Sequence, residues 1–393
     1  MTTTQRLPTQ HVAPLYLAGF TTAFGAHGVG SVLGAETDDI GLSLLGLGVV
    51  LALYDVAEVV LKPVFGALSD RVGAKPVIVA GLVGFALASI LALVVPSITV
   101  LAVARLGQGA AAAAFSPASS AAVARLAGRQ RLGRYFGRYG AWKSLGYVLG
   151  PLLGILLVET LDIRALYLAL AVLAVVAAAW VVVSVPALAP QPRPRYTLVD
   201  LVRQTTDRSF LVPTVLLAST TAVLGVAVGF LPLLATRLDL PAPVGAAAIA
   251  VLALVSTVVQ PRTGRLRDAG RITTRTGSAA ALVGATAVLV VVAVAPDAVT
   301  LFLTAVVFGA VVGVVTPLAF AHLAAATPEE RMGRTMGNAE LGREVGDAGG
   351  PLLVGAVAAA WTLPAALGVL AATTAGAAVV GWVGLRERER PRG

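Results

Sequence analysis

The chain has 393 residues, of which 57% are hydrophobic and only 12% are charged, and its formal net charge is +9. About a quarter of the residues of a soluble globular protein are charged, so this composition excludes that class and indicates an integral membrane protein. The chain contains no cysteine, which excludes disulfides and thiolate metal sites. Its three histidines, His11, His27 and His322, are scattered. We therefore expect no metal site and no cofactor.

Twelve stretches are apolar enough to cross a bilayer, because a spanning helix needs about 20 mostly apolar residues. In chain order they lie at about 13–34, 41–65, 76–95, 98–121, 133–158, 164–185, 210–235, 243–261, 276–295, 298–321, 334–360 and 364–384, by that length criterion. The connections are short, which leaves no room for a soluble catalytic domain. The first stretch lacks a small-residue cleavage site, so we expect it to remain in the protein.

The basic residues are distributed unevenly between the two sides of these spans. With the amino terminus inside, 23 of the 29 Lys and Arg residues fall on the inner side, counting Arg134, Arg138 and Arg334 near the inner ends of their spans. Two (Arg164 and Arg237) fall in outer loops, and the other four fall within spans. The positive-inside rule then predicts that both termini are cytoplasmic, and it requires an even number of crossings. We expect a multi-pass protein of the cell (inner) membrane, in contact with the lipid bilayer and not with nucleic acid.

The segment RYFGRYGAWKSLGYVLGPLLG, residues 134–154, recurs two hundred positions later in the chain. The repeated positions are Gly137, Gly146, Gly150 and Pro151 with Gly337, Gly346, Gly350 and Pro351, and Lys143 with Arg343. We therefore predict an all-α fold of twelve transmembrane helices in two pseudo-symmetric six-helix bundles, 1–185 and 210–393. A cytoplasmic linker, 186–209, joins them, and a basic tail ends the second.

A second repeat follows the second predicted span. The sequence GALSDRVGAK, from Gly66 to Lys75, returns as GRLRDAGR, from Gly264 to Arg271, with one residue fewer between the aspartate and the second glycine. Because the second copy has altered spacing, we give its aspartate, Asp268, less weight than Asp70.

Apart from the arginines near the inner ends of the spans, nine charged side chains fall inside predicted spans, where each costs at least about 2.5 kcal/mol at the bilayer centre and usually marks function. The acids are Asp55, Glu58, Glu340, Glu344 and Asp347, and the bases are Lys62, Arg105, Lys143 and Arg343. A carboxyl group removed from water favours its neutral form and a nearby cation favours the charged form, so such a set can couple to protons. An alternative is that these groups only form salt bridges that latch one conformation.

Among these acids, we rank Asp55 first as the proton carrier. It lies deeper in its span than Glu58, which has Lys62 four residues away to keep it ionised. Asp347 is the next candidate. Lys62 and Glu344 lie nearest the cytoplasmic ends of their helices, which is typical of a latch.

A row of glycines marks the fifth span. Gly146, Gly150 and Gly154 fall within a narrow helical stripe, and glycine lets two helix backbones approach closely. Pro151 removes a backbone hydrogen bond and bends the helix. One interpretation is a tight joint between the two halves of the protein, and the other is helix packing within one half.

Three motifs resemble the major facilitator superfamily and, within it, the drug:proton antiporters. The loop motif comprises Gly66, Leu68, Asp70, Arg71, Gly73 and Lys75, and the fourth-span motif comprises Arg105, Gln108 and Gly109. The fifth-span motif comprises Gly137, Gly146, Gly150, Pro151 and Gly154, and Ile155 departs from the last glycine of that pattern. The resemblance implies that helices 2 and 11 are neighbours, and that Asp70 and Arg71 form a cytoplasmic latch with the start of helix 11.

The resemblance also implies proton-driven export of small amphipathic compounds by a monomer, with the proton as coupling ion. A second hypothesis is transport of a defined metabolite or a lipid-linked molecule by the same fold. The few hydrogen-bonding side chains of the spans disfavour a sugar and leave a glycolipid possible, and the sequence does not decide between these two hypotheses. A third is an intramembrane enzyme or channel. The two-half repeat, the missing metal ligands and the missing nucleophile–base pair disfavour this third hypothesis.

Overall fold

The computed structural model describes residues 11–35, 44–94, 97–190 and 206–385. Within these ranges the chain forms twelve α-helices and one short 3₁₀-helix, Glu329–Arg331. The α-helices are α1 (Ala13–Ala35), α2 (Leu44–Val72), α3 (Ala74–Val94), α4 (Ile98–Ala127), α5 (Leu132–Thr160), α6 (Ile163–Ser184), α7 (Arg208–Arg237), α8 (Ala242–Asp268), α9 (Thr274–Val294), α10 (Ala298–Ala326), α11 (Met332–Ala360) and α12 (Leu363–Gly384). Most of the predicted linker (191–205) and the end of the basic tail (386–393) lie outside the described residues.

Nine of the described helices, α3 to α10 and α12, are long and apolar enough to cross a membrane. The other three are α1, α2 and α11, with 23, 29 and 29 residues. A helix rises 1.5 Å per residue, so about 20 residues match the hydrocarbon thickness of a bilayer. Seven of the nine charged side chains that were placed inside spans lie on α2 and α11. The predicted all-α membrane fold with twelve helices is confirmed.

The chain divides into two compact units. The first comprises Met1–Gly128, Trp142–Arg193 and Thr327–Leu341, and the second comprises Arg129–Ala141, Pro194–Ala326 and Gly342–Gly393. Thus α5 and α11 each contribute their first residues to one unit and their remaining residues to the other.

Each unit is built around one central helix. In the first unit α4 packs against α1, α2 and α3, and in the second α10 packs against α7, α8 and α9. Small residues let the neighbours of α4 approach, since Ala111, Ala112, Ala113 and Ala114 are all buried. Side-chain caps set helix starts, as where the Ser97 hydroxyl accepts a hydrogen bond from the Val100 amide at the start of α4.

Candidate functional site

Four charged side chains of the first unit are buried together, and we call them the charge cluster: Glu58 and Lys62 of α2, Lys143 of α5 and Glu340 of α11. They are 3%, 1%, 6% and 0% exposed, respectively. The Lys62 Nζ atom lies 3.2 Å from Glu58 Oε1 and 4.0 Å from Glu340 Oε2, and Lys143 Nζ lies 3.3 Å from Glu340 Oε2. Two carboxylates and two ammonium groups compensate one another, as buried charges require.

Two serines of α4 complete the surroundings of the charge cluster. The Ser120 hydroxyl donates a hydrogen bond to Glu340 Oε1 at 3.2 Å, and Lys143 Nζ donates to the Ser116 hydroxyl at 3.5 Å. Both serines are fully buried. Sequence reasoning missed them, although the run FSPASS in an alanine-rich span is a signal that could have drawn attention to this stretch.

The remaining predicted acids have other surroundings. Asp55 is exposed and lies within electrostatic range of Arg105. Glu344 and Asp347 are half-buried. Arg343 is buried in the second unit, with its guanidinium carbon 5.9 Å from the centre of the Phe320 ring.

The residues of the fourth-span motif, on α4, contact both α2 and α3. Arg105 lies 4.4 Å above the ring of Tyr54 and donates a hydrogen bond to Gln108 Oε1 at 3.3 Å. Gln108 in turn donates to the Ser89 hydroxyl at 2.9 Å. A β-carbon on Gly109 would overlap the backbone of Tyr54, so glycine permits the close approach of α4 to α2.

Asp70 of the loop motif receives two hydrogen bonds at the start of α11. The amides of Gly333 and Arg334 donate to Asp70 Oδ1 and Oδ2 at 2.7 Å and 2.9 Å. The first amides of a helix lack partners within the helix, and its dipole favours an anion there. Asp70 lies beyond the predicted span at 41–65, and burial raises the pKa of its carboxyl to about 6, although both amides act in the opposite direction.

The other loop-motif residues have separate tasks. Gly66 allows close contact with α11, since a β-carbon there would lie 2.5 Å from the Gly333 carbonyl oxygen. Gly73 has a φ of +95°, which only glycine adopts without strain, and it separates α2 from α3. Lys75 donates to the Val182 carbonyl oxygen near the end of α6 at 2.8 Å. Arg71 is exposed.

Asp268 makes the same kind of contact in the second unit, which corrects the lower weight given to it from the sequence. It accepts hydrogen bonds from the amides of Gly133 and Arg134, at the start of α5, at 2.8 Å and 2.7 Å. The residue that the second copy of the loop sequence lacks lies after the aspartate. The spacing from Gly264 to Asp268 therefore equals that from Gly66 to Asp70, and the geometry of the contact is retained.

The glycine row of α5 packs against α1, within the first unit. A β-carbon on Gly146 would lie 2.7 Å from the Phe20 carbonyl oxygen, one on Gly150 would lie 2.8 Å from that of Phe24, and one on Gly154 would lie 3.1 Å from that of Gly28. The structure thus favours packing within one half over a joint between halves for these three glycines.

The repeated glycines of α11 have equivalent contacts. Gly346 and Gly350 approach the backbones of Ala218 and Ala222 in α7, within the second unit. Gly137 and Gly337 lie nearer the starts of their helices and contact different partners. A β-carbon on Gly137 would overlap the Gln260 backbone of α8, and one on Gly337 would lie 2.6 Å from the Lys62 carbonyl oxygen of α2.

A multi-pass helical protein with repeated halves and compensated charges buried within its helices has the properties of a membrane transporter. The family model of the Major Facilitator Superfamily matches residues 15–295. The chain belongs to this superfamily. It is a transporter and not an enzyme.

Two curated relatives illustrate the similarity at the sequence level. A triacylglyceride transporter of Mycolicibacterium smegmatis is 34% identical over 123 residues, which are 30% of this chain and 22% of that protein. Tetracycline resistance protein, class C, of Escherichia coli is 36% identical over 126 residues, which are 32% of this chain and 31% of that protein. The aligned segments thus span less than a third of either relative.

Solved structures share the fold over nearly the whole chain. The human organic anion transporter MFSD10 (TETRAN) has a TM-score of 0.78 at 17% identity, covering 97% of this chain and 100% of that chain. The Escherichia coli fucose:proton symporter FucP has a TM-score of 0.79 at 15% identity, covering 96% and 98%.

Proposed function

We propose that this chain is a proton-driven exporter of small amphipathic or hydrophobic compounds that works by alternating access. The charge cluster is the observation that supports proton coupling most directly. Ionised groups within a membrane helix are costly, and they persist where they bind ions, protons or substrate. The cluster holds two carboxylates whose protonation depends on the cations beside them.

We also propose that transport is outward and that the protein lies in the inner membrane with its termini in the cytoplasm. The glycine motif of α5 resembles that of drug:proton antiporters, and a tetracycline resistance protein is among the relatives. The distribution of basic residues favours an inner-membrane protein with both termini in the cytoplasm. The proton is the coupling ion, no other cofactor is required, and the monomer is the working unit.

A second candidate is the export of a lipid or lipid-linked molecule. The similarity to a triacylglyceride transporter over 123 residues favours it. Both candidates have poorly hydrated substrates, and in both the proton gradient drives transport. They differ in the size and shape of the apolar part of the substrate.

The test uses the purified full-length chain in liposomes, with tetracycline and a radiolabelled triacylglyceride as separate probes. An acidic lumen should drive tetracycline into the vesicles, because an antiporter exchanges outward-moving protons for inward-moving substrate. A protonophore should abolish the accumulation, and protein-free liposomes are the matched control. Triacylglyceride movement without tetracycline movement would select the second candidate. Equal uptake of both probes with and without the pH gradient would contradict proton coupling.

A further inference from the structure

The second unit contains a small cavity between α7, α9, α10 and α12. It leaves about 20 Å³ for the centre of a water-sized sphere, and a single sphere needs about 10–15 Å³. The cavity therefore has room for the end of a narrow chain and not for a fused ring system. It lies near the ends of α7 and α9 and near the starts of α10 and α12. In the proposed orientation these helix ends are on the outer side of the membrane.

Apolar side chains line this cavity. Thr304 is the exception among the lining residues, and its hydroxyl donates a hydrogen bond to the Thr300 carbonyl oxygen of the same helix at 2.7 Å. The lining side chains are buried, apart from that of Phe230 on α7, which is half-buried. A water molecule in a cavity needs about two to four polar partners, so we expect this cavity to be dry.

The internal repeat identifies the corresponding positions of the first unit. A β-carbon on Gly109 of α4 would overlap the Tyr54 backbone of α2. A β-carbon on Gly309 of α10 would overlap the Leu252 backbone of α8 in the same way. The helices α4 and α10, α3 and α9, and α6 and α12 thus correspond at a displacement of 200. Three wall positions of the cavity have polar counterparts in the first unit: Leu289 with Ser89, Phe308 with Gln108, and Leu367 with Tyr167.

The polar counterparts surround Arg105 in the first unit. Arg105 donates a hydrogen bond to Gln108, which donates to the Ser89 hydroxyl. Tyr167 lies within electrostatic range of Arg105. The second unit has Ala305 at the position of Arg105. An apolar cavity is therefore present in the second unit at positions where the first unit has a polar network.

An apolar cavity of this kind favours a hydrocarbon ligand. The atoms around a void lack neighbours on one side, and they lose the dispersion energy of those contacts. Water does not restore this energy, because a water molecule among apolar side chains would lose its hydrogen bonds. A hydrocarbon group gains the contacts and loses no hydrogen bond. The small width of the cavity selects a chain over a ring.

We propose that the cavity between α7, α9, α10 and α12 binds the end of an alkyl chain. A phospholipid of the bilayer and an amphipathic compound both carry such a chain, so they share the chemistry that this site recognises. The cavity belongs to the second unit, whereas the charge cluster belongs to the first. Alkyl binding requires neither proton coupling nor outward transport, so it can be tested separately from the proposed function.

The first experiment labels the site covalently. The purified full-length chain in phosphatidylcholine liposomes is irradiated with one of two probes, a phosphatidylcholine with a diazirine on its acyl chain or a decylammonium with a diazirine at the end of its chain. Mass spectrometry then identifies the labelled residues. We expect label on the buried residues Phe308 and Leu367 and none on their buried counterparts Gln108 and Tyr167. Val290, exposed on α9, is the reference for labelling at the protein surface.

The two probes distinguish the sources of the chain. Label on Phe308 from phosphatidylcholine alone would assign the site to a bilayer lipid. Label from decylammonium that an excess of unlabelled decylammonium removes would assign it to an amphipathic compound. An excess of tetracycline, a fused-ring compound, should leave the label unchanged, and its removal by tetracycline would contradict selection of a chain. Label on Phe308 no stronger than on Gln108, with both probes, would overturn the proposal and leave the cavity a packing defect.

The second experiment fills the cavity. Ala227 lines it and is 1% exposed, so the larger side chain of Ala227→Leu would occupy the space. This variant should lose the label on Phe308 and retain the label on Val290. Thr304→Val is the matched control, because it nearly preserves the shape of the wall, and it should retain both labels. Ala227→Val replaces Ala227→Leu if the larger residue prevents insertion into the membrane. Undiminished label on Phe308 in an inserted filling variant would overturn the proposal.

Discussion

Asp70 and Asp268 are 198 positions apart, and each accepts two backbone hydrogen bonds from the first amides of a helix in its own unit. The amide donors, Gly333 and Gly133 with the residue after each, are 200 positions apart. The chain thus uses the same helix-start contact twice. Both carboxylates satisfy amides that have no partner inside their helices.

We expect Asp70→Ala and Asp268→Ala to destabilise the protein by similar amounts, about 0.5–2 kcal/mol each, the usual effect of losing a helix cap. Thermal unfolding in detergent measures this change. Arg71→Ala, at an exposed position beside Asp70, is the control and should have little effect. A normal melting temperature for Asp268→Ala with a lowered one for Asp70→Ala would show that the second contact is dispensable.

The glycine row gives a steric prediction. Gly150→Leu should destabilise by about 1–3 kcal/mol, because the side chain would meet the backbone of Phe24 and Gly28. Gly355→Ile is the matched control. Nothing lies within 4 Å of a β-carbon at Gly355, and the equivalent position of the repeat already carries Ile155. Unfolding and transport are measured on both variants, and equal behaviour would contradict a tight α1–α5 contact.

The contact between Lys143 and Glu340 can be measured by a double-mutant cycle. Lys143→Met and Glu340→Gln should each destabilise, and the double variant should be less unstable than the sum of the two by about 0.5–3 kcal/mol, because neither charge is left buried alone. Denaturant unfolding of the four proteins gives this coupling energy. A control cycle pairs Glu340→Gln with Arg164→Lys at an exposed site, and it should be additive. Additivity in both cycles would show that the buried ion pair contributes nothing.

Arg105→Lys should destabilise by about 2 kcal/mol, although it retains the charge. A desolvated cation stacked on an aromatic ring contributes roughly that amount, and lysine lacks the planar group that also donates to Gln108. Arg164→Lys, on the surface, should remain within about 0.5 kcal/mol of the wild type. Equal melting temperatures for the two variants would contradict the role assigned to the Tyr54 contact.

The sequence by itself determined the architecture. Apolar stretches of bilayer length define helices because a backbone in lipid must satisfy its own hydrogen bonds. The recurrence of Gly137, Gly146 and Gly150 at a displacement of 200 predicts two repeated halves. The sequence also identified α2 and α11 as helices with several charged residues, because charged residues are rare within membrane-spanning helices.

Only the tertiary structure decided which charges meet. Spacing along α2 places Asp55, Glu58 and Lys62 near one face, yet the neighbouring helices bury Glu58 and leave Asp55 exposed. The contact of Glu340 with Lys143, and the hydrogen bond from Ser120, join residues about 200 positions apart. The packing of Gly146 against α1 likewise depends on which helix is adjacent. Helical periodicity fixes the direction in which a side chain points around the axis of its helix. The partner of that side chain depends on which other helices pack nearby, and the spacing of residues within one helix does not encode this packing.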